Sequence, residues 1–219
     1  MKNFAIYTEF KLPQNSELPD NLILKIREVW DRKYRDLYEN GGKCNVEEAF
    51  EEVLQTFGMP INTIGHQRYV YMAMAMVLAA QATLKHYFPD DSRPGIVVAK
   101  VNNWIETGVE VADNFADTLF PNIYEGEMYQ AADEAYNIFY GLLKTLNKES
   151  AYEEIIDILY DAITGDAISP FAAAKRDLFN WWLIDVVPSA YCLKLPLYNA
   201  YIYLITNSAN YEQEDNGCI

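Results

Sequence analysis

Apolar positions recur along this chain with the spacing of amphipathic helices, and one stretch departs from that spacing by losing its polar side. From Tyr69 to Leu84, about 16 residues, no charged side chain occurs; Gln81 and Thr83 stand among Ala, Met, Val, Leu and Tyr. Ala, Met and Leu are strong helix formers, and a helix apolar on nearly all sides has to be surrounded by protein. The pattern predicts a central helix here. Arg68 and Lys85 bracket the tract, and it falls short of the roughly 20 residues that cross a bilayer, so no membrane span is expected.

After it comes a corner, Tyr87-Phe88-Pro89-Asp90-Asp91-Ser92-Arg93-Pro94. Pro89 disfavours helix at Phe88, and Pro94 suits the first turn of a new helix, where its missing N–H costs nothing. Asp90, Asp91 and Ser92 offer oxygens to the unpaired N–H groups of that turn. The second helix is predicted over about 94–107, with Val97, Val101, Trp104 and Ile105 on one face and Gly108 as its C-terminal stop.

The same spacing predicts the other elements. Leu22, Ile26, Val29, Trp30, Lys33 and Leu37 mark a helix over about 20–39, closed by Asn40-Gly41-Gly42. Asn45 caps a helix over 46–57, with Glu48 completing a capping-box pattern. Further helices are expected over 109–119, 127–146 and 171–187, the last ended by Pro188. The clearest amphipathic segment is 151–163, with Tyr152, Ile155, Ile156, Leu159 and Ile163 on its buried side. Phe4, Ile6, Thr8 and Phe10 hint at a short N-terminal strand, and 193–205 fits either a strand or a helix. The expected fold is all-α: a single domain over 1–219, a bundle of about seven to nine helices. An irregular arm (1–19) precedes it and a frayed acidic tail (207–219) follows.

Composition narrows the function classes. The formal net charge is -15, from 32 acidic and 17 basic side chains, which repels nucleic acid and anionic membrane and leaves a basic protein as the partner that charge would steer. Hydrophobic residues are 51% of the chain, enough for a core, and 17 tyrosines and four tryptophans could anchor an interface. Cys44, Cys192 and Cys218 show no metal-ligand spacing, and the first ten residues lack the apolar run of a secretion signal. A reduced, cytoplasmic protein is expected; the oligomeric state is left open.

The residues offer little material for catalysis. His66 and His86 sit about 30 Å apart along a straight helix and cannot share a metal. Neither is part of a HExxH or Glu-x-x-His pair, and no nucleophile elbow, phosphate loop or calcium loop occurs. No catalytic residue, metal or cofactor is expected. Two rows of carboxylates lie at helical spacing: Glu110, Asp113 and Asp117, and Glu153, Asp157 and Asp161 with Glu154. The second row, joined by Glu149, is opposite the predicted core face, so it is read either as a solvated face or as a contiguous surface for a basic partner. Arg93, beside Asp90 and Asp91, is expected to lock the corner and to be largely buried; Trp104 is expected in the core.

The corner carries a resemblance. Residues 80–108, with Pro89, Asp90, Asp91, Arg93 and Pro94 followed by Trp104 and Gly108, resemble a family of bacterial immunity proteins from polymorphic-toxin loci, the fifth numbered one. In that family a helix ends in a Tyr-Pro-Asp-Asp-x-Arg-Pro-like corner and the next helix carries Trp and Gly near its end. Here Phe88 intervenes between Tyr87 and Pro89, and Asn102 or Asn103 stands where the family has a basic residue. The resemblance implies an all-helical fold and neutralisation of a cognate toxin by direct binding. It brings no catalytic residues, and its motif residues are expected to define the fold rather than the partner surface. A helical scaffold or regulatory protein, and an enzyme built on a concave carboxylate or His66 site, are the other readings.

Overall fold

The computed structural model describes residues 9–12, 18–58, 63–121 and 129–196. Its regular elements are helical: α1 (Asp20–Trp30), α2 (Val46–Leu54), α3 (Thr63–Tyr87), α4 (Arg93–Thr107), α5 (Phe115–Leu119), α6 (Gln130–Lys144), α7 (Ala151–Ile163), α8 (Ala172–Trp181) and α9 (Val187–Tyr191). The fold is an all-α bundle. Among the described residues no strand occurs, only an isolated bridge between Tyr34 and Cys44.

The charge-free tract is the axis. α3 packs against α6, α7, α9 and α4, and its side chains from Tyr69 to Leu84 are buried apart from a few that face outward, Gln81 among them. Burying so much Ala and Met lets neighbouring helices approach closely, and the flexible Met side chains fill the gaps between them. Met72 also accepts a hydrogen bond on its sulfur from Trp182 Nε1, 3.4 Å away. α7 spans the predicted 151–163 and buries Ile155, Ile156, Leu159 and Ile163. α2 starts behind Asn45, whose Oδ1 accepts from Glu47 N at 2.9 Å, and a 3-10 turn (Gln55–Phe57) completes the predicted segment. Among the described residues no helix is long and apolar enough to cross a membrane.

Three boundaries differ from the periodic pattern, each for a tertiary reason. α1 stops at Trp30 rather than near residue 39. Arg176 of α8 donates to the carbonyls of Trp30 and Arg32, and Tyr34 Oη donates to Val29 O, so the last carbonyls are satisfied without another helical turn. The expected 109–119 helix survives only as α5, because Gly108 (φ 68°) ends α4 in a left-handed turn and Val109 emerges 58% exposed. The third is the last long helix. It does not stop before Pro188: a π turn (Trp182–Val186) carries α8 into α9, and the wider turn accommodates the proline ring and its missing N–H. Of the N-terminal strand hint only Phe10 lies within the described residues. The segment 193–205 is described only to residue 196, and the acidic tail lies outside.

Candidate functional site

The resemblance corner is a closed knot. α3 ends at Tyr87, Pro89 and Asp90 are exposed, and Pro94 is buried at the start of α4. Asp91 accepts from Arg93 Nε at 2.9 and 3.0 Å and from Arg93 N at 2.9 Å. Tyr136 of α6 donates to Asp91 Oδ2 and accepts from Arg93 Nη2 at 2.9 Å, while the guanidinium lies over the rings of Tyr136 and Phe120. The corner therefore clamps α3 and α4 to α6. Arg93 is less enclosed than expected, with its side chain 37% exposed against 13% for Asp91. Burial pushes the Asp91 carboxyl up, but the bonds from Arg93 and Tyr136 outweigh it and hold Asp91 below the usual range.

The carboxylates of α7 divide. Glu149, Glu153 and Asp157 are exposed, as a solvated outer row would be. Glu154 and Asp161 instead turn toward α6 and line a groove of about 350 Å³ with Asn137, Tyr140, Gly141 and Asp157. Gly141 makes this possible: a Cβ there would stand 2.9 Å from Ile158 Cγ1 and 3.6 Å from Glu154 Oε2, so only glycine lets α6 and α7 come this close. The helices thus sandwich carboxylates that the α7 pattern alone would leave in water.

The groove's electrostatics follow from that sandwich. Burial raises Asp161 to about 7, helped by the charges of Glu134 on α6 and Asp157, while a hydrogen bond from Asn137 opposes the rise. Burial and Asp157 raise Glu154 to about 7, against the pull of Lys144. Asp157 is raised by burial and by Glu153. Asn137 Oδ1 is buried with no hydrogen-bond partner. Glu134 itself is engaged, accepting from Asp166 N. The loop after α7 is pinned by Lys175, which is buried and donates to the carbonyls of Gly165 and Ser169 and to Asp166.

The other acidic row is not a helical face. Asp117 on α5 accepts from Tyr140 Oη at 2.6 Å. Glu110 and Asp113, on the irregular segment before α5, border a second and larger cavity of about 750 Å³. His66 reaches this cavity from α3. It is 7% exposed, with Nε2 2.7 Å from Thr145 O and its ring edge-to-face with Trp104 at 5.3 Å. Burial lowers its pKa, so the ring is neutral near pH 7. His66, in the first turn of α3, is therefore a buried histidine, whereas His86 near the other end of the helix is exposed. Trp104, expected in the core, is only half-buried: it packs on the His66 ring and lines the cavity with it.

Among the described residues no three His, Cys, Asp or Glu side chains stand where they could hold one metal ion. Sequence reasoning missed Glu134 and Asn137, the α6 half of the groove. The available signal was Gly141, a glycine inside an amphipathic helix, which marks a close helix approach. No protein-family model, curated protein or solved structure matches this chain.

Proposed function

We propose that this chain is an immunity-type binding protein that neutralises a basic toxin by holding a cationic segment of it in the α6–α7 groove. One observation carries the reading: Glu154 and Asp161 are partly desolvated and crowded by Asp157 at the groove's exposed rim, all three are raised in pKa, and Glu134 adds to the field on Asp161. A lysine or arginine entering the groove would relieve that crowding, so binding gains free energy that the unbound protein forgoes. The net charge of -15 supports it by steering a basic partner from a distance, and the resemblance over 80–108 supports the toxin-binding class. The corner residues Asp91 and Arg93 serve the fold in this reading and do not touch the partner.

The test uses the toxin encoded beside this chain's gene and the variant Glu154→Gln/Asp161→Asn, compared at pH 8. The variant should bind about tenfold more weakly at low salt, and the difference should shrink as salt is raised. Equal binding would remove the groove from the interface. Neighbouring genes without any toxin would remove the immunity reading. A second reading, a general acid–base enzyme, draws on the same two carboxyls poised near neutrality. It requires turnover of a substrate held in the groove, abolished by either single substitution.

A further inference from the structure

The larger cavity lies beside the C-terminal end of α6, shares no lining residue with the acidic groove and has its own chemistry. Three walls meet there: the start of α3 with His66, the end of α4 with Trp104 and the segment that follows, and the corner between α6 and α7. At about 750 Å³ it is within the range of pockets that enclose small organic ligands.

His66 fixes one requirement. A carbonyl oxygen can only accept, so the 2.7 Å contact with Thr145 O places the proton on Nε2. Nδ1 is then a bare acceptor. No donor among the described residues meets it, although the side chain is more than nine-tenths buried and what remains exposed borders the cavity. A ligand entering the cavity can meet this acceptor with an N–H or O–H donor in place of water.

The charges fix a second requirement. Lys144 and Lys148 come from the α6–α7 corner, while Glu110 and Asp113 come from the segment between α4 and α5. Both pairs line the same cavity, yet no ion pair joins them among the described residues. Opposite charges across an unbridged cavity of this size favour a ligand that carries both signs at its two ends. Trp104 adds an apolar wall beside the His66 ring, which it meets edge-to-face.

We propose that this cavity binds a short peptide with free termini. Its carboxylate lies toward Lys144 and Lys148, its ammonium toward Glu110 and Asp113, and a backbone N–H donates to His66 Nδ1. The site shares no lining residue with the acidic groove, although Lys144 acts on Glu154 across the helix, and it does not depend on whether a toxin binds there.

The chain has two histidines, so the ring nitrogens can be followed individually, with exposed His86 as the internal control. The full chain, labelled with ¹⁵N, is titrated with trialanine, its N-acetylated form, its C-amidated form and inorganic phosphate, each to about 10 mM. Trialanine should shift the His66 Nδ1 resonance saturably and leave His86 unmoved. Capping either end should weaken binding about tenfold or more, as should Lys148→Met, an exposed position whose change leaves the fold intact. The proposal is overturned if His66 does not respond to trialanine. It is overturned equally if either capped form binds as well, if phosphate alone reproduces the shift, or if Lys148→Met binds like the parent chain.

Discussion

The α3–α4 corner and the α6–α7 groove hold the same functional group in opposite states. At the corner Asp91 is mostly buried, yet it stays ionised more readily than in water because Arg93 and Tyr136 both bond to it. In the groove Asp161 is also removed from water, but its neighbours are Glu134 and Asp157, and its carboxyl rises to about 7. Burial acts in the same direction at both sites. What differs is the sign of the nearest charge, and that decides whether a carboxylate stabilises the fold or strains it. Glu52 is a third case: bonds from Arg32 first, and then from Lys25, overcome its burial and bring it to about 2. The protein compensates its charges where helices must be held and leaves them uncompensated in the α6–α7 groove.

The contrast can be broken most forcefully at the corner. Asp91→Ala leaves Arg93 and Tyr136 without their shared acceptor and should cost about 2–3 kcal/mol, lowering Tm by about 5–10 °C. Arg93→Ala should cost less, about 1–2 kcal/mol, because the guanidinium is over a third exposed and Tyr136 still bonds to Asp91. Thermal unfolding of both variants checks the order; an unchanged Tm for Asp91→Ala would mean the knot holds nothing.

The groove should respond with the opposite sign. Its carboxyls titrate higher in the folded chain than in the unfolded one. Between roughly pH 4 and 7 the folded state therefore binds more protons, and this contribution to stability falls as pH rises. Asp91, held below its unfolded value, contributes stability above about pH 4 and loses it as pH falls further. Asp161→Asn removes the repulsion and should raise Tm by about 2–5 °C at pH 8, with no gain at pH 5. Destabilisation at both values would show that Asp161 acts as a structural acceptor instead.

A third variant would convert the groove into a second corner. Asn137→Lys places an ammonium beside Asp161, so carboxyl titration by NMR should show Asp161 returning toward the ordinary carboxylate range, near 4. The smallest effect is that of salt. Raising sodium chloride from about 0.05 to 0.5 M should stabilise the parent chain by a few tenths of a kcal/mol more than it stabilises Asp161→Asn, since only the parent has that repulsion to screen. Denaturant midpoints at the two concentrations measure the difference.

Much of this was legible in one dimension. α7 could be read to the residue because Ile155, Ile156, Leu159 and Ile163 mark its inner face without interruption. α3 showed itself by lacking charge, and the α3–α4 corner by its prolines. The end of α1 was hidden because its carbonyls are satisfied by Arg176, 146 residues beyond Trp30. The groove was half hidden for a related reason. The α7 carboxylates were visible as a row, but whether they face water depends on α6 lying across them, which no local period encodes. Nothing in the local pattern marks His66 as buried; that comes from packing against Trp104 and from its hydrogen bond to the Thr145 carbonyl.

The π turn at Trp182–Val186 has a consequence of its own, concerning which sequence changes the chain can tolerate. Substituting one aliphatic side chain for another there alters volume and little else. Deleting one residue is a different event. A π turn holds one residue more than the α turn it replaces, so a chain one residue shorter here closes as regular α-helix with α9 near its present rotation. Val187 and Ala190 stay on the core side, and the Tyr191 carbonyl stays within reach of Arg68, which holds it at 2.8 Å. What such a deletion removes is the room for the Pro188 ring, which then meets the carbonyl four residues before it. Descendants of this sequence that lose a residue between 182 and 186 are therefore expected to lose the proline with it.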